Sequence, residues 1–261
     1  MGTARINGVD IHFEDTGGDG PAVLFSHGFL MDHTMFDRQV EALADRYRCI
    51  RWDERGFGAT RADGPFSYWD SADDAVALLD HLGVDRAVFV GMSQGGFLSL
   101  RAALAHPDRV RAVVLIDSAA DVDDEETIQG YQGMLHVFGH GSDDERAAVF
   151  EVVSGLILGD ETLAAEWIPK WTAIDTDQLT LAGGALLERD DVSGRVGEIG
   201  CPILAVHGTA DQAISIDRAE ALAAAASDHR GIVRVDGAAH APNMTHPDVV
   251  NPALAEFLAS L

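Results

Sequence analysis

Gly91-Met92-Ser93-Gln94-Gly95 directly follows the apolar run Ala87–Val90 and opens a helical pattern that extends to residue 105. The run predicts a buried strand, so the pentapeptide lies at a strand-to-helix turn. In that context a Gly-x-Ser-x-Gly motif strains the serine backbone and exposes the hydroxyl above the sheet edge, and a Cβ at either glycine would collide with its neighbours. The N-terminus of the helix also favours negative charge at this point. The motif therefore predicts Ser93 as a nucleophile.

The chain on both sides of this motif alternates between short apolar runs and helical patterns. A hairpin is predicted over residues 3–17, with its turn at Asn7-Gly8. The order predicts an α/β fold with a mostly parallel sheet flanked by helices. The predicted strands are 22–26, 48–52, 87–90, 112–116, 203–206 and 231–235. The predicted helices of this part are 33–46, 71–82, 95–105, 215–226 and 249–261.

Residues 121–198 interrupt the alternation, because they contain no convincing strand. We interpret them as a helical cap inserted after the sixth strand into a core made of residues 1–120 and 199–261. The predicted helices of the cap are 125–138, 143–158, 161–172 and 177–189.

A serine hydroxyl needs a histidine base, and the base needs a carboxylate that orients it. In the usual order of this motif the acid and then the histidine follow the serine. Asp211 comes shortly after the predicted strand 203–206, and His240 comes shortly after the predicted strand 231–235. Because the carboxyl ends of parallel strands meet at one edge of a sheet, we expect both side chains near Ser93.

Asp117 is an alternative acid, since it follows the predicted strand 112–116. We favour Asp211, and we interpret His207 and His246 as structural histidines.

An oxyanion hole should complete the site. One donor is expected to be the backbone N–H after the nucleophile, on Gln94, and the other should come from the loop after the first buried strand. In that loop Gly28 lets the backbone turn inward, which makes the Phe29 N–H the expected second donor. We expect the His27 side chain to anchor the loop.

His136 and His140 have the four-residue spacing of some zinc ligands. We expect Gly139 and Gly141 to end the helix there, and Val137 stands where a metalloprotease motif has Glu. The chain also lacks a Gly-rich phosphate loop and a closely spaced Cys pair. We therefore expect no metal and no cofactor.

Composition sets further limits. The 18 basic and 43 acidic residues give a net charge of −25, which disfavours nucleic acid and anionic lipid as partners. No apolar run reaches the ~18 residues of a membrane span. Cys49 and Cys201 lie in strand-like segments, and Met1–Asp10 lacks a signal-sequence pattern. We expect buried free thiols and a cytoplasmic location, with the oligomeric state, monomer or homodimer, left open.

Five motifs are spread over nearly the whole chain: Ser26-His27-Gly28-Phe29, Asp53–Gly58, Gly91–Gly96, His207–Asp211 and Gly237–Pro242. Together they resemble those of the α/β-hydrolase superfamily. Within it the chain looks most like small capped bacterial esterases, enol-lactonases and cofactor-free perhydrolases. The resemblance implies Ser93 as nucleophile, His240 as base and Asp211 as acid, with the cap over the pocket. Haloalkane dehalogenases and epoxide hydrolases carry Asp at the position of Ser93, so those reactions are not expected.

These observations predict a serine hydrolase that cleaves a small carboxylic ester or lactone through an acyl-enzyme. Carbon–carbon bond hydrolysis, perhydrolysis on the same triad and a non-catalytic small-ligand sensor stay open as alternatives. The pocket is expected to favour small or medium acyl groups. Its predicted lining residues are Phe29, Leu30, Met92, Phe138, Trp167 and Trp171.

Overall fold

Eight strands form a single sheet in the computed structural model, which describes residues 1–261. The strands are β1 (Gly2–Ile6), β2 (Val9–Asp15), β3 (Ala22–Ser26), β4 (Arg48–Trp52), β5 (Ala87–Met92), β6 (Val110–Ile116), β7 (Ile203–Gly208) and β8 (His229–Val235). Their order across the sheet is β1-β2-β4-β3-β5-β6-β7-β8. Strand β2 pairs antiparallel with β1 and β4. The other neighbouring strands, in the order β4-β3-β5-β6-β7-β8, all pair in parallel. The predicted α/β fold is confirmed.

The first hairpin forms as its sequence predicts. Asn7 and Gly8 both have positive φ angles, of 46° and 85°. Two consecutive residues with positive φ form a turn whose twist matches that of the flanking strands, and Asn-Gly adopts these angles at low energetic cost.

Ten α-helices accompany the sheet. No helix combines the length and the apolar character that a membrane span requires. The helices are α1 (Asp37–Leu43), α2 (Tyr68–His81), α3 (Gln94–Ala105), α4 (Glu125–His140), α5 (Asp143–Ile157), α6 (Glu161–Thr172), α7 (Thr176–Leu187), α8 (Ile216–Ala225), α9 (Pro242–Thr245) and α10 (Pro247–Ala259). Two 3₁₀ segments cover His33–Phe36 and Ser193–Glu198.

The helix predicted over residues 33–46 is divided into two parts. Asp32 caps the 3₁₀ segment His33–Phe36 by accepting a hydrogen bond from the Thr34 N–H at 2.8 Å, and α1 begins only at Asp37. The apolar spacing continues across the break, so the pattern alone cannot reveal it.

The expectation that α4 ends before His140 is wrong. The helix continues through Gly139 to His140 and is capped by Gly141, so the rings of His136 and His140 lie 5.0 Å apart on one face. A glycine inside a helix costs only about 1 kcal/mol relative to alanine, which packing can offset. Gly139 faces α7, where an added Cβ would lie 3.4 Å from the Thr180 hydroxyl.

The central parallel strands are buried on both faces, as their uninterrupted apolar sequences predict. On one side they pack against α2 and α3, with Trp52 and Phe97 among the buried side chains. The other side packs against α1 and α10, and this layer continues into α4 to α7.

Helices α4 to α7, here called the inserted helices, all lie between β6 and β7 in the chain. Each begins at a capping side chain that accepts a backbone hydrogen bond, an arrangement that contributes about 1 kcal/mol per helix. Phe150 of α5 joins α4 and α6, because its ring stacks on Phe138 at 4.8 Å and lies 6.0 Å from the Trp171 ring. These aromatic contacts explain much of the apolar sequence in this segment.

Both cysteines are free and buried. Burial raises the pKa of Cys49 to about 12 and that of Cys201 to about 11, so both stay protonated thiols at neutral pH.

Candidate active site

Ser93 occupies a strained turn between β5 and α3. Its φ and ψ angles are 51° and −114°, a region that residues other than glycine rarely adopt. The Ser93 N–H donates to the Ile116 carbonyl at 2.9 Å, and the Ser118 hydroxyl donates to the Ser93 carbonyl at 2.8 Å. These bonds hold a conformation that costs about 1–3 kcal/mol. The sequence motif and the backbone therefore agree at this position.

The two motif glycines are required by close backbone contacts. A Cβ on Gly91 would lie 2.1 Å from the Gly95 carbonyl oxygen, and a Cβ on Gly95 would lie 2.0 Å from the Ser26 carbonyl oxygen. Their absence of side chains lets β3, β5 and α3 meet beneath Ser93.

The structure brings His240 to Asp211. The His240 Nδ1–H donates to Asp211 Oδ2 at 2.8 Å, and Asp211 Oδ1 accepts from the N–H groups of Ala213 and Ile214 at 2.8 and 3.2 Å. Burial opposes ionisation of Asp211, but the charge of His240, its hydrogen bond and the polar side chains of His207 and Asp117 nearby outweigh it, so the pKa of Asp211 lies far below its usual value. An ionised carboxylate can orient the imidazole and leave Nε2 as the free ring nitrogen.

Asp117 does not contact His240. Its Oδ1 accepts from the Gly208 N–H at 2.9 Å, and its backbone has a φ angle of 44°. His207 is also committed elsewhere, because its Nε2 donates to the Ile214 carbonyl at 2.8 Å. Of the two candidate acids, Asp211 is the one placed to act on His240.

Ser93 and His240 line one cavity of about 90 Å³. Phe29, Leu30 and Phe97 form its walls on the side of the sheet. The inserted helices contribute the other wall through Tyr131, Met134, Val153, Leu156, Ile157 and Leu186. The cavity is therefore mainly apolar and lies between the sheet edge and the inserted helices.

The structure places the predicted lining residues in different parts of the fold. Phe29 and Leu30 line the cavity, but Phe138, Trp167 and Trp171 do not; they are buried in the layer that joins the inserted helices to the sheet. Met92 also lies outside the cavity, because it packs beneath Gly28. A Cβ added to Gly28 would lie 2.4 Å from the Met92 sulfur. Helical periodicity identifies a buried face, but it does not show whether that face meets a cavity or a packed core.

The two expected oxyanion donors are the backbone N–H groups of Phe29, in the loop after β3, and of Gln94, the first residue of α3. The N–H groups of Phe29 and Gln94 make no hydrogen bond to another group of the protein. Leu30, directly after Phe29, has a φ angle of 67°, a strained value for a branched residue. The sequence gives no signal for this strain.

His27 anchors the loop that carries Phe29. Its Nε2 accepts from the Glu54 N–H at 2.9 Å, so the proton of the neutral ring is on Nδ1, which donates to the Gly28 carbonyl at 2.9 Å. Burial lowers the pKa of His27, which is consistent with this neutral ring. His27 is thus bound to backbone groups and is not available as a base.

Sequence reasoning missed a buried polar chain behind Gln94. The Gln94 side chain donates to Glu54 at 3.1 Å and accepts from the Tyr68 hydroxyl at 3.3 Å. Burial and the charge of Asp74 raise the pKa of Glu54 well above its usual value, which favours the protonated form of this carboxyl group. The chain fixes the side chain of the residue that follows the nucleophile.

Asp123 is the one carboxylate that lines the cavity. Arg189 binds one of its oxygens, and Arg218 binds the other at 2.5 Å. Arg218 also contacts Asp121 at 2.7 Å, so two cations balance two anions at this wall. The charge of Asp123 is therefore neutralised within the protein.

Two groups of three side chains each hold possible metal-ligand atoms, and within each group these atoms lie within 4.8 Å of one another. They are His12–His33–Asp53 and Asp117–His207–Asp211. Hydrogen bonds account for the arrangement of both, since His33 Nδ1 lies 2.7 Å from Asp53 Oδ1 and Asp211 binds His240. We assign no metal to either group.

A family model described as alpha/beta hydrolase fold matches residues 21–162, more than half of the chain. The chain belongs to the α/β-hydrolase fold family. Its parallel sheet and its serine turn between β5 and α3 fit this assignment.

Full-length relatives within the family include several kinds of enzyme. The non-heme chloroperoxidase of Streptomyces lividans is 30% identical, with 100% of both chains covered. The solved enol-lactonase of Burkholderia xenovorans LB400 is 25% identical, with a TM-score of 0.90 and 99% and 100% of the two chains covered. A thermophilic esterase from Thermogutta terrifontis, solved with malate bound, is 26% identical at a TM-score of 0.90, with 100% and 99% covered. These relatives support a hydrolase function that acts on a small molecule.

Proposed function

We propose that this protein is a serine hydrolase that cleaves a small carboxylic ester or lactone. One observation carries the proposal: Ser93 in its strained turn and His240 paired with Asp211 line one apolar cavity. Two backbone amides without a partner, on Phe29 and Gln94, complete the set of groups that acyl transfer needs.

In the proposed first step His240 Nε2 takes the proton of the Ser93 hydroxyl while Oγ attacks the acyl carbon. The carbonyl oxygen becomes an anion that accepts from the N–H groups of Phe29 and Gln94. Each such donor typically contributes a factor of about 10² to 10³ to turnover. Asp211 holds the imidazolium, which then gives its proton to the leaving alkoxide as the carbon–oxygen bond breaks.

Water completes the reaction. His240 removes a proton from water as the water oxygen attacks the acyl-enzyme, and the same proton returns to Ser93 Oγ when the ester bond to the enzyme breaks. The products are a carboxylic acid and an alcohol, or a hydroxy acid where the substrate is a lactone. No group beyond the chain's own residues and water takes part.

The cavity supports a small, uncharged acyl group as the preferred substrate part. Its volume is about 90 Å³ and its walls are mainly apolar. Asp123 is already paired with Arg189 and Arg218, so this wall offers no unpaired charge to a substrate. We further propose that the inserted helices act as a cap that limits chain length, since they form one complete wall.

Perhydrolysis is a second candidate, favoured by the relationship to a non-heme chloroperoxidase. Hydrogen peroxide would replace water as the group that attacks the acyl-enzyme, with His240 taking its proton, and the product would be a peracid. Acetate-dependent formation of peracid from hydrogen peroxide distinguishes this activity from simple ester hydrolysis.

The free and buried state of both cysteines supports a reducing compartment, such as the cytoplasm, as the location of the protein.

A panel of p-nitrophenyl esters from acetate to dodecanoate, together with small lactones, tests the proposal. We expect acetate to hexanoate esters or a small lactone to react fastest, with no loss of rate in EDTA. Binding of these compounds without turnover would favour the sensor function, and dominant activity on long chains or inhibition by EDTA would contradict the proposal.

A further inference from the structure

Asp117 is a buried acid that the proposed mechanism does not use. It is 0% exposed and follows β6 in a left-handed backbone conformation, with φ of 44°. Its Oδ1 accepts from the Gly208 N–H at 2.9 Å, whereas no group of the protein donates to Oδ2. A buried carboxylate oxygen without a donor is costly, because nothing replaces the water that would solvate its charge.

The titratable groups around Asp117 come from two neighbouring strands. His207 at the end of β7 places Nε2 3.6 Å from Asp117 Oδ1 and 3.5 Å from Asp211 Oδ2, and His240 lies beyond Asp211 in the loop after β8. The Nε2 proton of His207 is directed to the Ile214 carbonyl at 2.8 Å. Neither carboxyl group therefore has a close ion-pair contact with His207.

Asp117 and Asp211 bring carboxylate oxygens within 4.8 Å of each other. Two buried carboxyl groups this close cannot both stay ionised without close cations, so one of them holds a proton. Asp211 accepts three hydrogen bonds, from Ala213, Ile214 and His240, and these stabilise its charge. Asp117 accepts only one. The proton therefore belongs on Asp117, at the oxygen that lacks a donor.

We propose that Asp117 is a positioning residue that carries this proton on Oδ2 and donates it as a hydrogen bond to the Asp211 carboxylate. This inference rests on the proposed triad. The hydrogen bond restrains the Asp211 carboxylate, so that its Oδ2 stays aligned with the imidazole of His240. Burial, the charge of Asp211 and their shared hydrogen bond raise the pKa of Asp117 well above its usual value, in agreement with this assignment.

The proposal differs from a purely structural role in which Asp117 only fixes Gly208. An asparagine keeps both functions, because its oxygen can accept from Gly208 and its amide can donate to Asp211. In D117N we expect kcat/KM to fall by less than tenfold. In D117A, which loses both contacts, we expect a fall of about ten- to hundredfold. The exposed acid Asp236, at the end of β8, provides a matched control as D236N.

The pH profile of kcat/KM and infrared difference spectra give the deciding readouts. In D117N the acid limb should keep its position, because no charge is lost beside Asp211 and His240. If Asp117 were ionised, its removal would destabilise the imidazolium and move the limb to lower pH by about half a unit or more. The difference spectrum between wild type and D117N at neutral pH should contain the carbonyl band of a protonated carboxyl group, and the spectrum for D236N should not.

A shifted acid limb, a missing band, or a D117A variant no slower than D117N would each overturn the proposal. If D117A does not fold, the D117N profile and spectrum still decide. The infrared band does not depend on enzyme activity, so it tests Asp117 separately from the hydrolase assignment. If that assignment were wrong, Ser93→Ala would leave the rate of ester hydrolysis unchanged, and the band would still be present.

Discussion

The His240 Nδ1 atom lies 2.8 Å from Asp211 Oδ2, although the two residues follow different strands, β7 and β8. A carboxylate accepts only, so this contact fixes the proton on Nδ1 and leaves Nε2 free to act as a base. The pairing joins the two loops at the sheet edge next to Ser93.

Asp211→Asn should therefore lower kcat by about 10⁴-fold, because an amide can hold the wrong ring tautomer and cannot stabilise the imidazolium. Asp117→Asn should lose less than about tenfold. Steady-state kinetics on p-nitrophenyl butyrate, with D236N as an exposed control, compare the three variants. The reverse ranking of Asp211 and Asp117 would move the acid to β6.

The strands and the serine turn could be predicted because their signals are local. The apolar run of β5, its two glycines and the helix that follows occupy adjacent positions, and each restricts the same short piece of backbone. The order of Ser93, Asp211 and His240 along the chain then indicates that the three residues cluster, because the parallel strands that they follow end at one edge of the sheet.

Features that depend on long-range packing could not be predicted. Trp167 and Trp171 have the spacing of a buried face, yet that face meets the core layer and not the cavity. Asp117 lies within 4.8 Å of Asp211, and it has a left-handed φ angle at a position where the sequence has no glycine to indicate one. The cavity wall from α5, at Val153, Leu156 and Ile157, has i, i+3, i+4 spacing, but many surface helices share it.

Leu30 should control the accepted chain length. It lines the cavity shared by Ser93 and His240 and also a second cavity of about 370 Å³, which lies between its own loop and the inserted helices α6 and α7. Leu30→Ala should open a path between them and raise the rate on decanoate relative to acetate several-fold. Leu30→Met, which conserves volume, serves as control. An unchanged chain-length profile in Leu30→Ala would show that this residue does not separate the cavities.

Glu54→Gln should stabilise the protein increasingly as the pH rises. The folded-state pKa of Glu54 is raised above its ordinary value of 4.5, chiefly by burial. Above that pH the unfolded chain releases the proton and the native protein retains it, so this group makes wild type less stable with rising pH. The Tm of Glu54→Gln relative to wild type should grow from about pH 5 to about pH 8. The exposed Glu41→Gln should show no such trend, and a constant difference for Glu54→Gln would mean that Glu54 is ionised.

Gly95→Ala should destabilise the fold, because its Cβ would lie 2.0 Å from the Ser26 carbonyl oxygen. Overpacking against backbone typically costs about 1–3 kcal/mol in the free energy of unfolding, measured here by urea titration. Gly130→Ala on α4 is the matched control, since nothing lies within 4 Å of its added Cβ. It should stabilise by about 0.5–1 kcal/mol through the helix propensity of alanine. Equal effects of the two changes would contradict the close contact at Gly95.

The turnover of Ser93→Ala tests the central claim most directly. Its kcat/KM on p-nitrophenyl butyrate should fall by about 10⁴-fold or more, because no other group can form the acyl-enzyme. Ser99→Ala, on the same helix with its hydroxyl bound to the Gly95 carbonyl at 2.6 Å, should stay within a few-fold of wild type. A folded Ser93→Ala protein, free of contaminating esterase, that retained more than about 5% of the wild-type rate would contradict Ser93 as the nucleophile.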